Sequence, residues 1–164
     1  MCVQFAVATG ETQHFPQISE CHFKGYTSAG LVFGSNNTSV INTGQQNIVA
    51  ARRLSFENTV AGTIGLLLNA QNLEWFVCDG IDFNGGSGLG HLHHIYGYAG
   101  GLNLKGMVST RANDYGVMIG SSQFIINGWR TEDRYLLKTQ AANVEGPCEL
   151  TGLLHRSGSI VSTD

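Results

Sequence analysis

Glycine punctuates this chain so closely, 22 times in 164 residues, that no segment longer than about ten residues sustains the apolar spacing of an amphipathic helix. Gln45 to Leu54 is the best helical candidate, and it is short. The remainder reads as strands of a few residues, among them Leu31–Phe33, Ile64–Leu68, Trp75–Val77, Leu92–Ile95, Gly116–Ile119 and Phe124–Ile126, separated by Gly, Asn, Ser and Asp. The chain is therefore predicted to be all-β. Its length suits a single domain over 1–164, with irregular segments at 1–16 and 141–164 acting as caps or joining a longer chain.

Short strands between polar turns are also the pattern of an antiparallel sandwich, so the deciding feature is a loose internal repeat. The stretches SECHFKGYTSAGLVF, ARRLSFENTVAGTIGLLL, VCDGIDFNGGSGLGHL and MVSTRANDYGVMI share one formula: apolar strand, a few polar or small residues, Gly, apolar strand. Phe23, Phe56 and Phe83 take equivalent places, each followed by Gly30, Gly62 or a glycine of the run Gly85–Gly90. Asn47, Asn72, Asn103 and Asn127 recur at intervals of 25, 31 and 24 residues. A period in the twenties lets a chain wind as a solenoid whose strands stack in parallel about 4.8 Å apart, like side chain upon like. The phenylalanines are then expected to fill the interior, and the asparagines to form a ladder in a tight bend, where Asn tolerates a left-handed backbone.

These residues resemble the right-handed parallel β-helix of the pectate-lyase-like superfamily, and within it the central helix of phage tailspikes and preneck appendages. The resemblance runs from about Ile18 to Leu137 and implies a solenoid of about five coils. It further implies polysaccharide ligands or substrates, homotrimers in the phage branch, and catalytic carboxylates on strands or in grooves between subunits. No lyase or hydrolase motif is present, so no family site is carried over. The leading expectation is a spike or fibre domain of a virion tail that binds, and in one version cleaves, bacterial surface polysaccharide. Its rivals are an extracellular bacterial polysaccharide lyase or glycoside hydrolase and a purely structural trimerising shaft.

Composition removes other classes. With 9 Lys and Arg against 12 Asp and Glu and a net charge of −3, the chain offers no basic surface for nucleic acid. No apolar run of about 18 residues is available to span a bilayer, and the opening MCVQFAVATGETQHF lacks the basic head of a signal peptide. The glycine run lacks the GxGxxG order, so no phosphate-binding cofactor is expected. Cys2, Cys21, Cys78 and Cys148 form no CxxC pair and read as free, mostly buried thiols rather than metal ligands.

Three constellations carry candidate chemistry. In Cys78-Asp79-Gly80-Ile81-Asp82-Phe83, Asp82 and Glu57 of the preceding coil form a candidate carboxylate pair, the requirement for glycoside hydrolysis. In His91-Leu92-His93-His94, strand alternation places His91 and His93 on one face, suited to a glycan groove and lacking a third metal ligand. Arg111, Asp114, Trp129 and Glu132 interleave charge with an aromatic ring, as sugar-binding surfaces do; Asp114 is the alternative catalytic carboxylate, while Arg130, Glu132, Asp133 and Arg134 also read as a solvated salt network.

Overall fold

The computed structural model describes residues 3–5, 11–14, 16–35, 42–85, 91–133, 135–139 and 148–156. Cys2, Arg134, most of the glycine run and the tail beyond Arg156 lie outside them. The described residues form twelve strands: β1 (Val3–Phe5), β2 (Thr12–Gln13), β3 (Gln17–Ser19), β4 (His22–Lys24), β5 (Ala29–Gly34), β6 (Asn42–Glu57), β7 (Thr63–Asn84), β8 (His91–Thr110), β9 (Tyr115–Thr131), β10 (Tyr135–Thr139), β11 (Cys148–Thr151) and β12 (Leu154–His155). All twelve belong to one curled sheet, and the pairings are all parallel. No helix occurs among the described residues; the helical candidate Gln45 to Leu54 lies within β6. Its side chains alternate between the apolar interior and solvent at Val49, Ala51 and Arg52, and tertiary pairing decides where local propensity is weak.

The register shows why the chain stacks. Val3, Leu31, Leu66, Ile95, Val117 and Leu137 are successive partners along one column, and Ile18, Ala51, Cys78, Leu104, Ile126 and Leu150 along another. Each column has six rungs where about five coils were expected. The parallel, curled arrangement is compatible with a β-helix-like solenoid. A third column begins with Phe23, Phe56 and Phe83, whose rings stack at 4.8 and 4.9 Å, as their sequence positions predicted. It continues as Ser109, Thr131 and His155, so an aromatic stack gives way to a polar one inside the same sheet.

The expected asparagine ladder does not form. Asn103 pairs with Val77 and Ile125, while Asn127 pairs with Lys105. The repeating bend is instead marked by a left-handed backbone at Glu20 (φ 56°), Arg53 (φ 50°), Gly80 (φ 77°), Gly106 (φ 66°), Gly128 (φ 73°) and Gly152 (φ 62°). These positions sit on six consecutive rungs at intervals that shorten from 33 to between 22 and 27 residues. A β-carbon at Gly106 would meet nothing within 4 Å, so the glycine is there for its backbone angle and not for space. After each bend the next residue turns inward, giving the column Cys21, Leu54, Ile81, Met107, Trp129 and Leu153. The residue before it points out at Ser19, Arg52, Asp79, Lys105 and Asn127. Amide contacts between rungs occur elsewhere, where Gln46 Nε2 donates to Gln13 Oε1 at 3.2 Å.

Candidate functional site

The bend ladder carries two shallow, open hollows on the outer surface. Just past it, the outward positions of successive rungs are His22, Ser55, Asp82, Val108 and Arg130. One hollow of about 310 Å³ is lined by Arg53, Ser55, Gly80, Asp82, Gly106 and Val108, over the buried Leu54 and Ile81. A neighbouring hollow lined by Glu20, Cys21, His22, Arg53 and Ser55 shares two of these residues, so the pair forms one groove across four rungs. The Arg53 side chain lies beside Gly80, where a β-carbon would come within 3.6 Å of Arg53 Cγ, and its guanidinium donates to the Glu20 carboxylate.

The carboxylate pair expected from the sequence lies on this face. Ser55 pairs with Asp82 and Glu57 with Asn84, so the two acids sit diagonally on adjacent rungs. Their environments differ. The hydrogen bond from the Lys24 ammonium, 2.9 Å away, holds Glu57 below the usual carboxylate range, with His22 at 3.5 Å adding to it. Asp82, although exposed, is partly desolvated against the groove, which raises its pKa against the opposing hydrogen bond from Ser55.

The remaining candidates do not join them. Asp114 and His93 meet at the opposite end of the β8 rung, with Asp114 Oδ2 4.0 Å from His93 Nε2. The His93 ring is 4% exposed, stacks on Tyr96 at 5.2 Å, and hydrogen-bonds through Nδ1 to the Tyr115 carbonyl; burial lowers its pKa. Arg111 is exposed in the turn after β8, and Glu132 follows β9 with its carboxylate 4.0 Å from Arg156. Besides the buried His93, two further expected ligand residues are fully enclosed in the interior. Trp129 is fully buried on the inward column, donating from Nε1 to Ser109 Oγ at 2.8 Å, so no polymer reaches its ring. His91 is fully buried as well, because the pairing shifts between Thr63 and Ile64: Thr63 faces His91 and Ile64 faces His93. That irregularity adds one residue to β8, so His91 shares its face with His94 and not with His93.

Compared with protein-family models, curated proteins and solved structures, the chain matches none.

The interior group built on His91 was not foreseen. Tyr26 Oη hydrogen-bonds to His91 Nε2, His91 Nδ1 lies 2.9 Å from His94 Nδ1, and His94 Nε2 lies 2.9 Å from Asp133 Oδ1. Asp133, read from sequence as part of a solvated network, is fully buried. Its carboxylate also accepts from Ala112 N at 2.9 Å, Ser109 Oγ at 2.5 Å and Thr131 Oγ1 at 2.9 Å. Burial alone would raise its pKa, but the hydrogen bonds from His94, Ser109 and Ala112 outweigh it and bring the group down to about 2. Among the described residues no group of three or more His, Cys, Asp or Glu is arranged to hold a metal ion. Cys78 is buried and Cys21 half-buried, whereas Cys148 is exposed, against the expectation of mostly buried thiols.

Proposed function

We propose that this chain is a parallel β-helix segment of the phage spike and appendage type that binds an extended bacterial surface polysaccharide along the groove of Arg53, Ser55, Asp82 and Val108. The observation that carries the reading is the continuity of that groove: it crosses four rungs, roughly 14 Å at about 4.8 Å each, in the direction of stacking. A polymer lying along the stack meets a similar backbone geometry at each rung, whereas small-molecule sites are usually closed clefts. Arg53, Ser55 and Asp82 supply donors and acceptors for hydroxyls, and Val108 supplies an apolar patch for sugar C–H faces. Each contact is weak, so affinity accumulates over several sugar units and over the copies in a homotrimer.

The test is retention of the chain by a panel of bacterial surface polysaccharides, comparing the natural sequence with Arg53→Gly. That change deletes the guanidinium while suiting the left-handed bend. Retention that weakens at least tenfold in the variant supports the groove; no retention of the natural chain by any polysaccharide overturns the reading. Light scattering is expected to show a trimer.

A second reading, cleavage of the bound polymer, is favoured by the opposed shifts of Glu57 and Asp82, since two carboxyls with divergent environments suit a base and an acid. Asp82 is then the general acid and Glu57 the general base. Release of reducing ends by the natural chain, lost in Asp82→Asn with retention kept, supports it; retention without release leaves the binding module alone.

A further inference from the structure

The buried chain from Tyr26 to Asp133 has a fixed polarity. Asp133 receives four donors, so its carboxylate is ionised, and His94 must donate from Nε2. With neutral rings, the 2.9 Å contact between the two Nδ1 atoms requires His91 to donate and His94 to accept. His91 Nε2 is then an acceptor, and the Tyr26 hydroxyl donates to it. The three polar links are satisfied together in this one pattern, and it joins the turn before β5, the start of β8 and the turn after β9.

One added proton can be absorbed by reversing part of the chain. His94 becomes an imidazolium paired with Asp133 and donates from Nδ1 to His91, whose proton now sits on Nε2 and points at Tyr26 Oη. The Tyr26 hydroxyl loses its acceptor. A second proton has no place: it would set N–H against N–H at 2.9 Å. We infer that the Tyr26–His91–His94–Asp133 chain is an acid-operated latch, closed with at most one added proton and opened by the second, which uncouples the Tyr26 turn from the later rungs. Burial, and then the charge of His94, bring His91 down to about 3, in keeping with a second proton that enters only with difficulty. The other titratable groups around the latch are Asp82 near His94, His93 with Asp114 on the same strand and turn, and His155, whose Nε2 lies 2.9 Å from the Asp133 carbonyl.

Because an unfolded histidine titrates near its ordinary value while His91 resists protonation, the unfolded chain binds the extra proton between about pH 6.5 and 3. Stability from His91 is complete above that window and is lost as pH falls through it. The experiment follows the imidazole nitrogens of the full chain by NMR from pH 8 to 3, alongside denaturant unfolding at each pH. His91 is expected to stay uncharged below pH 5, with its proton on Nδ1 at the alkaline end, and the folded-to-unfolded ratio to fall by up to tenfold per pH unit for that proton. In His91→Phe, which keeps a ring against Tyr26, this share of the pH dependence should disappear. If that variant does not fold, the NMR titration of the natural chain decides alone. A His91 midpoint near 6.5 in the folded chain, an Nε2-protonated His91 at alkaline pH, or a pH-independent stability overturns the latch.

Discussion

Phe56 is the middle ring of the aromatic column, with no exposed surface, stacked between Phe23 at 4.8 Å and Phe83 at 4.9 Å. It also supports the neighbouring backbone, since a β-carbon on Gly30 would come within 2.9 Å of Phe56 Cδ1. Phe56→Ala removes the buried ring and leaves a cavity the parallel register cannot close, because Phe23 and Phe83 are fixed by their own strand pairs; core Phe→Ala changes cost about 3–5 kcal/mol. Losing two ring stacks, each worth about 0.5–1.5 kcal/mol, places this site in the upper half of that range, so about 4–5 kcal/mol is expected. Domains of this size are stable by about 5–15 kcal/mol, so Phe56→Ala should be marginal, and Phe56→Leu, with a smaller void, is the more tractable variant. Urea unfolding followed by intrinsic fluorescence measures both, with the slope of the transition unchanged. A loss below about 1 kcal/mol for Phe56→Ala would refute the stacked column.

The glycine positions should separate by cause. Gly106→Ala meets open space and should lose about 1–2 kcal/mol from its left-handed backbone, whereas Gly97→Ala would set a β-carbon 1.8 Å from the Leu68 carbonyl and should prevent folding; circular dichroism melts distinguish them. Asp133→Asn converts a four-donor acceptor into a group with its own donors and should cost about 3–5 kcal/mol by denaturant titration. Toward a thiol reagent at pH 8, Cys148 should react within minutes, while Cys78, buried and with its thiol pushed up to about 12, should react only on unfolding.

Much of the architecture was legible because parallel stacking writes like residues onto like rungs. The phenylalanine triad gave the interior and the approximate period, and the same alignment set Glu57 opposite Asn84 and near Asp82. The bend was harder to read. Its left-handed position holds Glu and Arg in the first two rungs and Gly afterwards, so no single residue type marks it, and Asn, which also suits such bends, pointed to the wrong column. The interior relay was hidden for a different reason. Strand alternation separates His91 from His94, and only a pairing irregularity at Thr63 and Ile64 reunites them, while Asp133 sits in a run of charged residues that looks solvated. Trp129 was ambiguous in the same way, since a ring followed by Arg130 and Glu132 reads as surface until the bend turns it inward.

The account depends above all on the parallel register, and a pair of engineered cysteines tests it most directly. Val108 and Arg130 are outward partners on adjacent rungs, whereas Val108 and Leu154 are two rungs apart. In a chain with Cys148→Ser, the variant Val108→Cys/Arg130→Cys should form its bridge under mild oxidation, as shown by mass mapping, because neighbouring strands lie about 4.8 Å apart. Val108→Cys/Leu154→Cys should remain reduced, its Cα atoms being roughly 9–10 Å apart, beyond the reach of a disulfide. Bridging of the second pair without the first would contradict the stack.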